Sequence, residues 1–496
     1  MAVSDLDLPG DGFFSLEQVR ALDAAAIAGA WPGRELMERA GLSAWRLLQQ
    51  CWPQARRIAL VLGSGNNAGD AWVLARWAHL HGCEIELQAT VSVWSGAAGE
   101  AAALAEARGL RAGAISVERL AGADVVVDAI LGSGSRGAPR ADAEAAIMAI
   151  RACARPVLAL DLPSGVDADR GGLLGSVAVR ADCTLSFVAA KRGLYTGAAA
   201  AHAGRVWVDD LGIDRCPTLR PTVHDVHAVE LPRRAGDAHK GAQGHVLVLG
   251  GNHGMAGAAL LCARAAARAG AGRVSLIARP FTLQAVPMRV PEVMTPPGES
   301  AAELAAAVQG AEVCALGPGL GRDDWAQRLY AAVQGGGRPC VLDADALRLL
   351  AAQPCAWPQA VITPHPGEAA ALLGVDSATV QADRFAAAAE LHRRYAATVV
   401  LKGNGSLIHS AAGTWLCRAG NPGMASAGMG DVLTGLLAAL LAQGLAAPSA
   451  AQAAVWIHAR SGDRLAAQRG QRGLLASDII EAWQEDLNPC NAAPRP

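Results

Sequence analysis

The sequence predicts an α/β protein of two doubly wound domains, each a mostly parallel sheet covered by helices on both faces. Three observations carry this expectation. Apolar runs of strand length alternate with Ala-rich stretches of helical length, the rhythm of βαβ units. Glycine supplies 56 of the 496 residues and clusters where those runs end, as tight strand-to-helix turns require. Between Asp214 and Ala238 the periodicity lapses and Pro217, Pro221 and Pro232 recur, which puts a domain boundary near 214–236. A chain of this length also exceeds what one core can organise.

In the first half, Ser15-Leu16-Glu17-Gln18 forms a capping-box pattern, with Leu16, Val19, Leu22 and Ile27 following at helical spacing. A second helix with Leu36, Met37, Ala40 and Trp45 follows Pro32-Gly33. Strands are then expected at 58–62, 85–91, 125–130, 157–160 and 184–188. Their unbroken apolar character suits strands buried on both faces, and ligands of such sheets sit beyond the carboxyl ends. Three of those ends carry polar residues: the first is followed by GSGNNAGD, the third by Asp128 and GSGSRG, the fourth by DLPSGVD. These crossing loops bring Asn67, Asp128, Asp161 and Ser164 to one rim. All four are hard oxygen donors, so a metal held there is a group 1 or 2 cation rather than zinc. Gly63-x-Gly65-x-x-Ala68 also satisfies the dinucleotide fingerprint in its G/A form. The acidic residue that should close the next strand is missing, since Glu84 and Glu86 lie at its start and middle.

In the second half, strands are expected at 246–249, 274–277, 313–316, 341–342, 360–362 and 399–401, followed by a hairpin-like pair at 406–408 and 415–417. The chain is organised around the stretch that follows, NPGMASAGMGDVLTGLLAALLAQG from Asn421 to Gly444. Glycines directly before a helix leave backbone N–H groups and the positive end of the helix dipole facing whatever docks there, which suits a transferring phosphoryl group. Asp431, in the first turn, can accept a proton from a hydroxyl. A bare GxGD is also read as a turn with an Asp N-cap. DADAL at 343–347 fits helix capping, and His365 between two prolines fits a rigid turn. No GxxxxGK[ST] P-loop occurs.

Composition excludes several classes. A net charge of −2 without a basic run gives no support to a nucleic-acid groove. Eleven cysteines with no CxxC argue against zinc and against a disulfide framework, and fit reduced thiols in a cytoplasm. Asp5, Asp7 and Asp11 without an apolar segment give no signal peptide. The longest apolar stretch, 432–447, is short for a membrane span and holds Thr434, Gly435, Gln443 and Gly444, so it reads as a buried core helix. A soluble cytoplasmic protein without membrane partners is expected; homo-oligomerisation is left open.

Taken together, GNNAGD, DAILGSGSRGA, DLPSGVDAD and FVAAKRGLYTG resemble the NAD(P)H-hydrate epimerase domain, which is Rossmann-like, over residues 10–213. The resemblance implies that Asn66, Asn67, Ala68, Gly69 and Asp70, with Gly132, Ser133, Gly134, Ser135, Arg136, Gly137 and Ala138, hold the hydrated dinucleotide. It further implies that Asp161 works at the substrate and that Asn67, Asp128 and Ser164 hold potassium. Ala68 and Ala71 stand where the family has glycine. If position 68 needs positive φ, alanine carries about 1–2 kcal/mol of strain there. Lys191 reads equally as a second charged group at the site and as a surface lysine.

After a linker at 214–236, seven motifs follow in order: HKGAQG, GGNHGMAGAA, GPGLG, DADAL, TPHPGE, KGNGS and the 421–431 loop. They resemble the ADP-dependent NAD(P)H-hydrate dehydratase, a ribokinase-like fold, over residues 237–486. By that resemblance Lys402, Gly403, Asn404, Gly405, Ser406 and Gly430 contact the adenine nucleotide. Ala258, Gly319 or Gly321, His365 and Asp431 contact the hydrated substrate, and Ala427 replaces a frequent glycine. Both halves thus point to one substrate class. The implied function is repair of hydrated NADH and NADPH: epimerisation of the R and S forms, then dehydration of S with ADP giving AMP and phosphate. ADP, potassium and magnesium are the implied cofactors. The alternatives are a small-molecule sugar or vitamin kinase fused to a nucleotide-binding domain, and a non-catalytic NAD-binding sensor.

Overall fold

The structure is a computed structural model that describes residues 12–29, 31–213, 219–229 and 231–488. The chain divides into two compact units, Met1–His224 and Asp225–Pro496. The linker expected over 214–236 contains that division, and its residues 214–218 and 230 lie outside the described ones.

The first unit is built on a seven-stranded sheet: β1 (Arg57–Leu62), β2 (Glu84–Ala89), β3 (Ala112–Gly113), β4 (Val125–Ala129), β5 (Val157–Leu160), β6 (Cys183–Phe187) and β7 (Arg205–Asp209). Every pairing is parallel, in the order β3-β2-β1-β4-β5-β6-β7. Ile58 aligns with Val125 and Leu60 with Val127, so apolar side chains of the two central strands are in register on each face. Helices cover both faces, which is why β1, β4 and β5 read as unbroken apolar runs. The edge strands β3 and β7 carried no such run: one is two residues long, the other has a single fully buried residue, Trp207.

The helix Leu16–Gly29 begins with the expected capping box, Gln18 N–H donating to Ser15 Oγ at 3.2 Å and Ser15 N–H to Gln18 Oε1 at 3.1 Å. The GNNAGD segment is not an open loop. It forms the first turns of the helix Asn66–Leu80, with Gly65 at the N-cap. Ala68 therefore has right-handed helical geometry, is fully buried, and carries none of the strain that a positive φ implies.

The second unit holds β8 (His224–Asp225), β9 (His245–Leu249), β10 (Arg273–Ile277), β11 (Val313–Leu316), β12 (Cys340–Leu342), β13 (Ala360–Ile362), β14 (Thr398–Leu401), β15 (Ser406–Ser410) and β16 (Gly413–Cys417). The order is β10-β9-β11-β12-β13-β14-β15-β16-β8, parallel from β10 to β14 and antiparallel through the β15–β16 hairpin. The helix Met429–Ala442 is buried along almost its whole length, as its apolar sequence requires, and starts three residues before the apolar run. It lies against the helix Ala256–Arg268 so closely that a Cβ on Gly435 would stand 2.1 Å from the Cys262 carbonyl oxygen. No helix among the described residues is long and apolar enough to cross a membrane.

Candidate active sites

In the first sheet the chain leaves β1 and β4 toward opposite edges, and at their carboxyl ends lies a cavity of about 730 Å³. Asn66, Asn67 and Asp70 line it, together with Gly132, Ser133, Gly134, Ser135, Arg136, Gly137, Ala138 and Asp161. Ala68 and Gly69, also expected at the substrate, are not in the lining. A Cβ on Gly69 would come within 2.5 Å of Met37 Sδ and 3.0 Å of Ala98 Cα, so this pair lets neighbouring helices approach.

Asp161 follows β5 with φ of 64°, a conformation that costs a non-glycine residue roughly 1–3 kcal/mol. Its Oδ2 accepts the Ser133 N–H at 2.7 Å, and its Oδ1 lies 2.7 Å from Lys191 Nζ. Lys191 is fully buried and donates as well to Ser186 Oγ at 2.8 Å and the Phe187 carbonyl at 2.9 Å. It is a charged group of the site and not a surface lysine. Burial pushes the Asp161 carboxyl up, but the Lys191 charge and the hydrogen bonds outweigh it and hold the group below its ordinary range.

Beneath the cavity rim, Asp128 Oδ1 accepts the Ser164 hydroxyl at 2.6 Å and Oδ2 accepts the Ser164 N–H at 2.7 Å. Asn67 Nδ2 donates to the Leu131 and Leu160 carbonyls at 2.9 and 3.1 Å, while its buried Oδ1 has no hydrogen-bond partner. Burial raises Asp128 to about 6 against those hydrogen bonds. An unsatisfied amide oxygen, a fully buried carboxylate and a hydroxyl on segments tied together through Leu131 make a donor set that fits a weakly charged hard cation such as potassium.

Among the residues of this site that were not identified from sequence are Arg20 and Asp23 on the helix Leu16–Gly29. Arg20 donates through Nη2 to the Ser133 carbonyl. Asp23 is half-buried, and its carboxyl is raised first by burial and then by Asp161, with Lys191 opposing. Asp70 is raised well above its ordinary value by burial, then by Asp161 and Asp23.

In the second unit the helix Met429–Ala442 is entered through Gly428, whose φ is 91°. Asp431 sits in the first turn without capping it. Burial lifts its carboxyl to about 7, with Asp343 adding to the rise and Lys402 opposing it. Lys402 Nζ is 2.6 Å from Asp343 Oδ1 and 3.9 Å from Glu368 Oε2, and Thr434 donates to Asp343 Oδ2 at 3.1 Å. A Cβ on Gly430 would lie 3.2 Å from both Asp343 Oδ2 and Lys402 Nζ, so the glycine, the lysine and the carboxylate meet. Asp343 thus pairs with a lysine instead of capping a helix.

Lys402, Gly403, Asn404, Gly405 and Ser406 make the turn from β14 into β15, with the Gly403 N–H donating to Ser406 Oγ at 3.3 Å. The fully buried Arg384 supports it, donating to the Leu401 and Lys402 carbonyls at 3.1 and 3.2 Å. His365 caps the helix Pro366–Leu373: its Nδ1 accepts the N–H groups of Gly367 at 3.0 Å and Glu368 at 3.3 Å. Its ring remains half exposed, with Nε2 3.5 Å from Glu368 Oε1. Ala258 and Gly319 meet where the chain parts after β9 and β11, a Cβ on Gly319 falling 3.3 Å from that of Ala258. Gly321 donates its N–H to Asp345 Oδ2 at 2.8 Å. Sequence reasoning passed over Asn252, whose Nδ2 holds the Leu320 carbonyl at 3.0 Å, and His458, kept neutral by burial beside Met429 at about 4.

Residues 33–193 match the family described as YjeF-related protein N-terminus, and residues 246–485 match the family described as NAD(P)H-hydrate dehydratase. The bifunctional NAD(P)H-hydrate repair enzyme of Coxiella burnetii is 43% identical over 95% of this chain and 98% of its own length. The chain belongs to the bifunctional NAD(P)H-hydrate repair enzymes. The repair enzyme of Escherichia coli is 39% identical over 92% of this chain and 90% of its own. A solved ADP/ATP-dependent NAD(P)H-hydrate dehydratase from Bacillus subtilis, co-crystallised with ATP and Mg2+, aligns at 28% identity over 52% of this chain and 94% of its own, with a TM-score of 0.48. Membership of the repair enzymes removes the kinase and sensor alternatives. The match to the N-terminal family leaves out the helix Leu16–Gly29, although that helix lines the cavity.

Proposed function

We propose that this chain repairs hydrated NADH and NADPH by epimerising the C6 hydroxyl in its first unit and removing it, from the S form, in its second. The observation that carries the reading is Asp431, a partly buried carboxyl pushed up to about 7 in the first turn of a helix opened by glycine. Such a group takes a proton from a hydroxyl at physiological pH, while backbone N–H groups face the phosphoryl group being transferred. Asp431 removes the C6 hydroxyl proton, the oxygen takes the terminal phosphoryl group of ADP, and AMP departs. Phosphate is then a far better leaving group than hydroxide; it departs from C6 with the C6–O electron pair, the nitrogen lone pair forms C6=N1, and loss of a C5 proton to solvent forms C5=C6 and returns the pair to nitrogen, restoring the dihydronicotinamide. The turn of Lys402, Gly403, Asn404, Gly405 and Ser406, with Gly430, contacts the nucleotide, while Ala258, Gly319, Gly321 and His365 contact the hydrated ring.

Among the described residues no three His, Cys, Asp or Glu side chains form a metal cluster. Asp343 and Glu368, the acids beside Lys402, are the residues that would hold magnesium. Magnesium supplies charge neutralisation of the phosphates when bound. In the first unit Asn67, Asp128 and Ser164 hold potassium, and Asp161 with Lys191 orients the hydrated ring. The test supplies a mixture of R and S hydrated NADH with ADP and follows recovery of reduced-nicotinamide absorbance together with phosphate release. Complete recovery with stoichiometric phosphate is expected; recovery that stops when the S form is spent removes the epimerase half of the reading.

A further inference from the structure

Among the groups around the first cavity, the carboxyl of Asp23 has no assigned task. We propose that Asp23, on the helix Leu16–Gly29, is a catalytic acid of the epimerase and acts on the C6 hydroxyl together with Asp161. The inference rests on the proposed repair of hydrated nicotinamide cofactors and adds a residue to it.

The helix presents a stripe to the cavity: Val19, Asp23 and Ile27 recur at intervals of four, with Arg20 beside them. From sequence, this face reads as apolar packing. The placement is fixed at several points. Leu16 N–H donates to Asp169 Oδ1 at 3.1 Å, Gln18 Nε2 donates to the Arg220 carbonyl at 2.5 Å, and Arg20 ties the helix to Ser133, whose own N–H holds Asp161. Among the described residues nothing donates to or accepts from the Asp23 carboxyl, in contrast to Asp161, held by Lys191 and Ser133.

The other ionisable groups of the lining are less suited. Arg20, Arg136 and Arg140 offer guanidinium donors rather than a carboxyl, Asp142 is exposed at a helix start, and Asp70 is almost wholly buried. Lys191 is shut behind Asp161. Burial and the negative charge of Asp161 favour the acid form of Asp23, while Lys191 draws the other way.

The chemistry needs an acid and a base. Carbon 6 carries its hydroxyl next to the ring nitrogen. Asp23 gives its proton to that hydroxyl, the C6–O bond breaks with its electron pair leaving on water, and the nitrogen lone pair forms the C6=N1 bond. Water then adds to the opposite face of C6, returning the electron pair to nitrogen and passing a proton to the Asp161 carboxylate. The product is the other epimer; solvent exchange moves one proton from Asp161 back to Asp23, so no group is consumed.

The test uses the full chain with R-enriched hydrated NADH and ADP, so that dehydration of S reports on the second unit in the same sample. Asp23→Asn should lower kcat for R consumption by about 10²–10⁴. Its KM for R, its Tm and its turnover of S should stay those of the unsubstituted protein. In the unsubstituted chain R consumption should decline toward alkaline pH as Asp23 ionises in the field of Arg20, Asp70, Asp161 and Lys191; the Asn variant should lose that limb. Asp23→Glu should keep R consumption with the limb displaced. R consumption by a folded Asn variant within about threefold of the unsubstituted chain overturns the proposal, since removal of a general acid costs far more. Equal losses in the Asn and Glu variants with an unchanged pH profile also overturn it, and mark a structural residue. An unsubstituted chain that never consumes R refutes the epimerase reading itself, an outcome distinct from either.

Discussion

Lys402 Nζ stands 2.6 Å from Asp343 Oδ1, and the carboxylate it pairs with is almost fully buried. The pair joins the end of β14 to the end of β12, two strands away, and sets the charge around Asp431. Lys402→Met leaves the Asp343 carboxylate buried without its partner. Breaking a buried pair from one side costs roughly 3–5 kcal/mol. A lowered Tm is therefore expected, and the acid limb of the dehydration rate should move to higher pH, because Lys402 holds the Asp431 carboxyl down. A Met variant as stable as the parent, with an unmoved limb, would show that the pair has no energetic role.

Asp431 titrates near 7 and works as a carboxylate. Its pKa is raised, so the acid form persists up to neutrality and the base form dominates only above it. Dehydration of the S form should rise about tenfold per pH unit below 7 and level off above. Asp431→Asn should lose about 10²–10⁴ in rate with nucleotide binding retained. Rates of S dehydration measured from pH 5 to 9, with nucleotide affinity in parallel, check both; a flat profile in the parent removes Asp431 from the base role.

Potassium should stabilise the first unit through Asp128. A cation beside that buried carboxylate relieves the desolvation that raises it and satisfies the amide oxygen of Asn67. In sodium-free buffer at pH 7.5, added potassium should raise Tm by a few degrees, about what 1 kcal/mol gives a domain of this size. Asp128→Ala should abolish that rise and weaken epimerisation, leaving S dehydration alone. A potassium response that survives in the Ala variant moves the ion elsewhere.

The units should separate. Among the described residues, the buried apolar cluster that runs from Val226 to Trp483 includes no residue of the first unit, and those between Phe14 and Ile213 include none of the second, so each unit has its own core. A fragment from residue 225 onward should fold and dehydrate the S form, leaving R almost untouched. Adding the fragment 1–224 in trans should restore use of R, since the released epimer diffuses between sites. A C-terminal fragment that is active only when mixed with its other half defeats this expectation.

How much of this was legible in the sequence depends on what each residue does. Strands such as β1 and β9 announced themselves because both faces are buried, while β3, β7 and β8 are short or half exposed and left no run of apolar residues. The chemistry-bearing strand ends were visible because glycine, asparagine and aspartate are concentrated there. What escaped was long-range. The burial of Lys191 against Asp161 depends on packing thirty residues apart in the chain, and no local pattern encodes it. Asp23 hid on a helix whose spacing of Leu16, Val19 and Leu22 already explained it. Ala68 misled in the other direction: a glycine-like position in a turn motif proved to be an ordinary helical one.

The contact between Gly435 and the Cys262 carbonyl bears on how this enzyme drifts in nature. Asp431 and Gly435 are one helical turn apart on the same face, so an added methyl at 435 that shifts the helix also shifts the carboxylate. An exposed helical position can send a larger side chain into solvent; position 435 cannot, because the Cys262 carbonyl oxygen already fills that space. In a population sample, polymorphism should be plentiful on the outer faces of the Ala-rich helices and almost absent at 435, although that position touches no substrate.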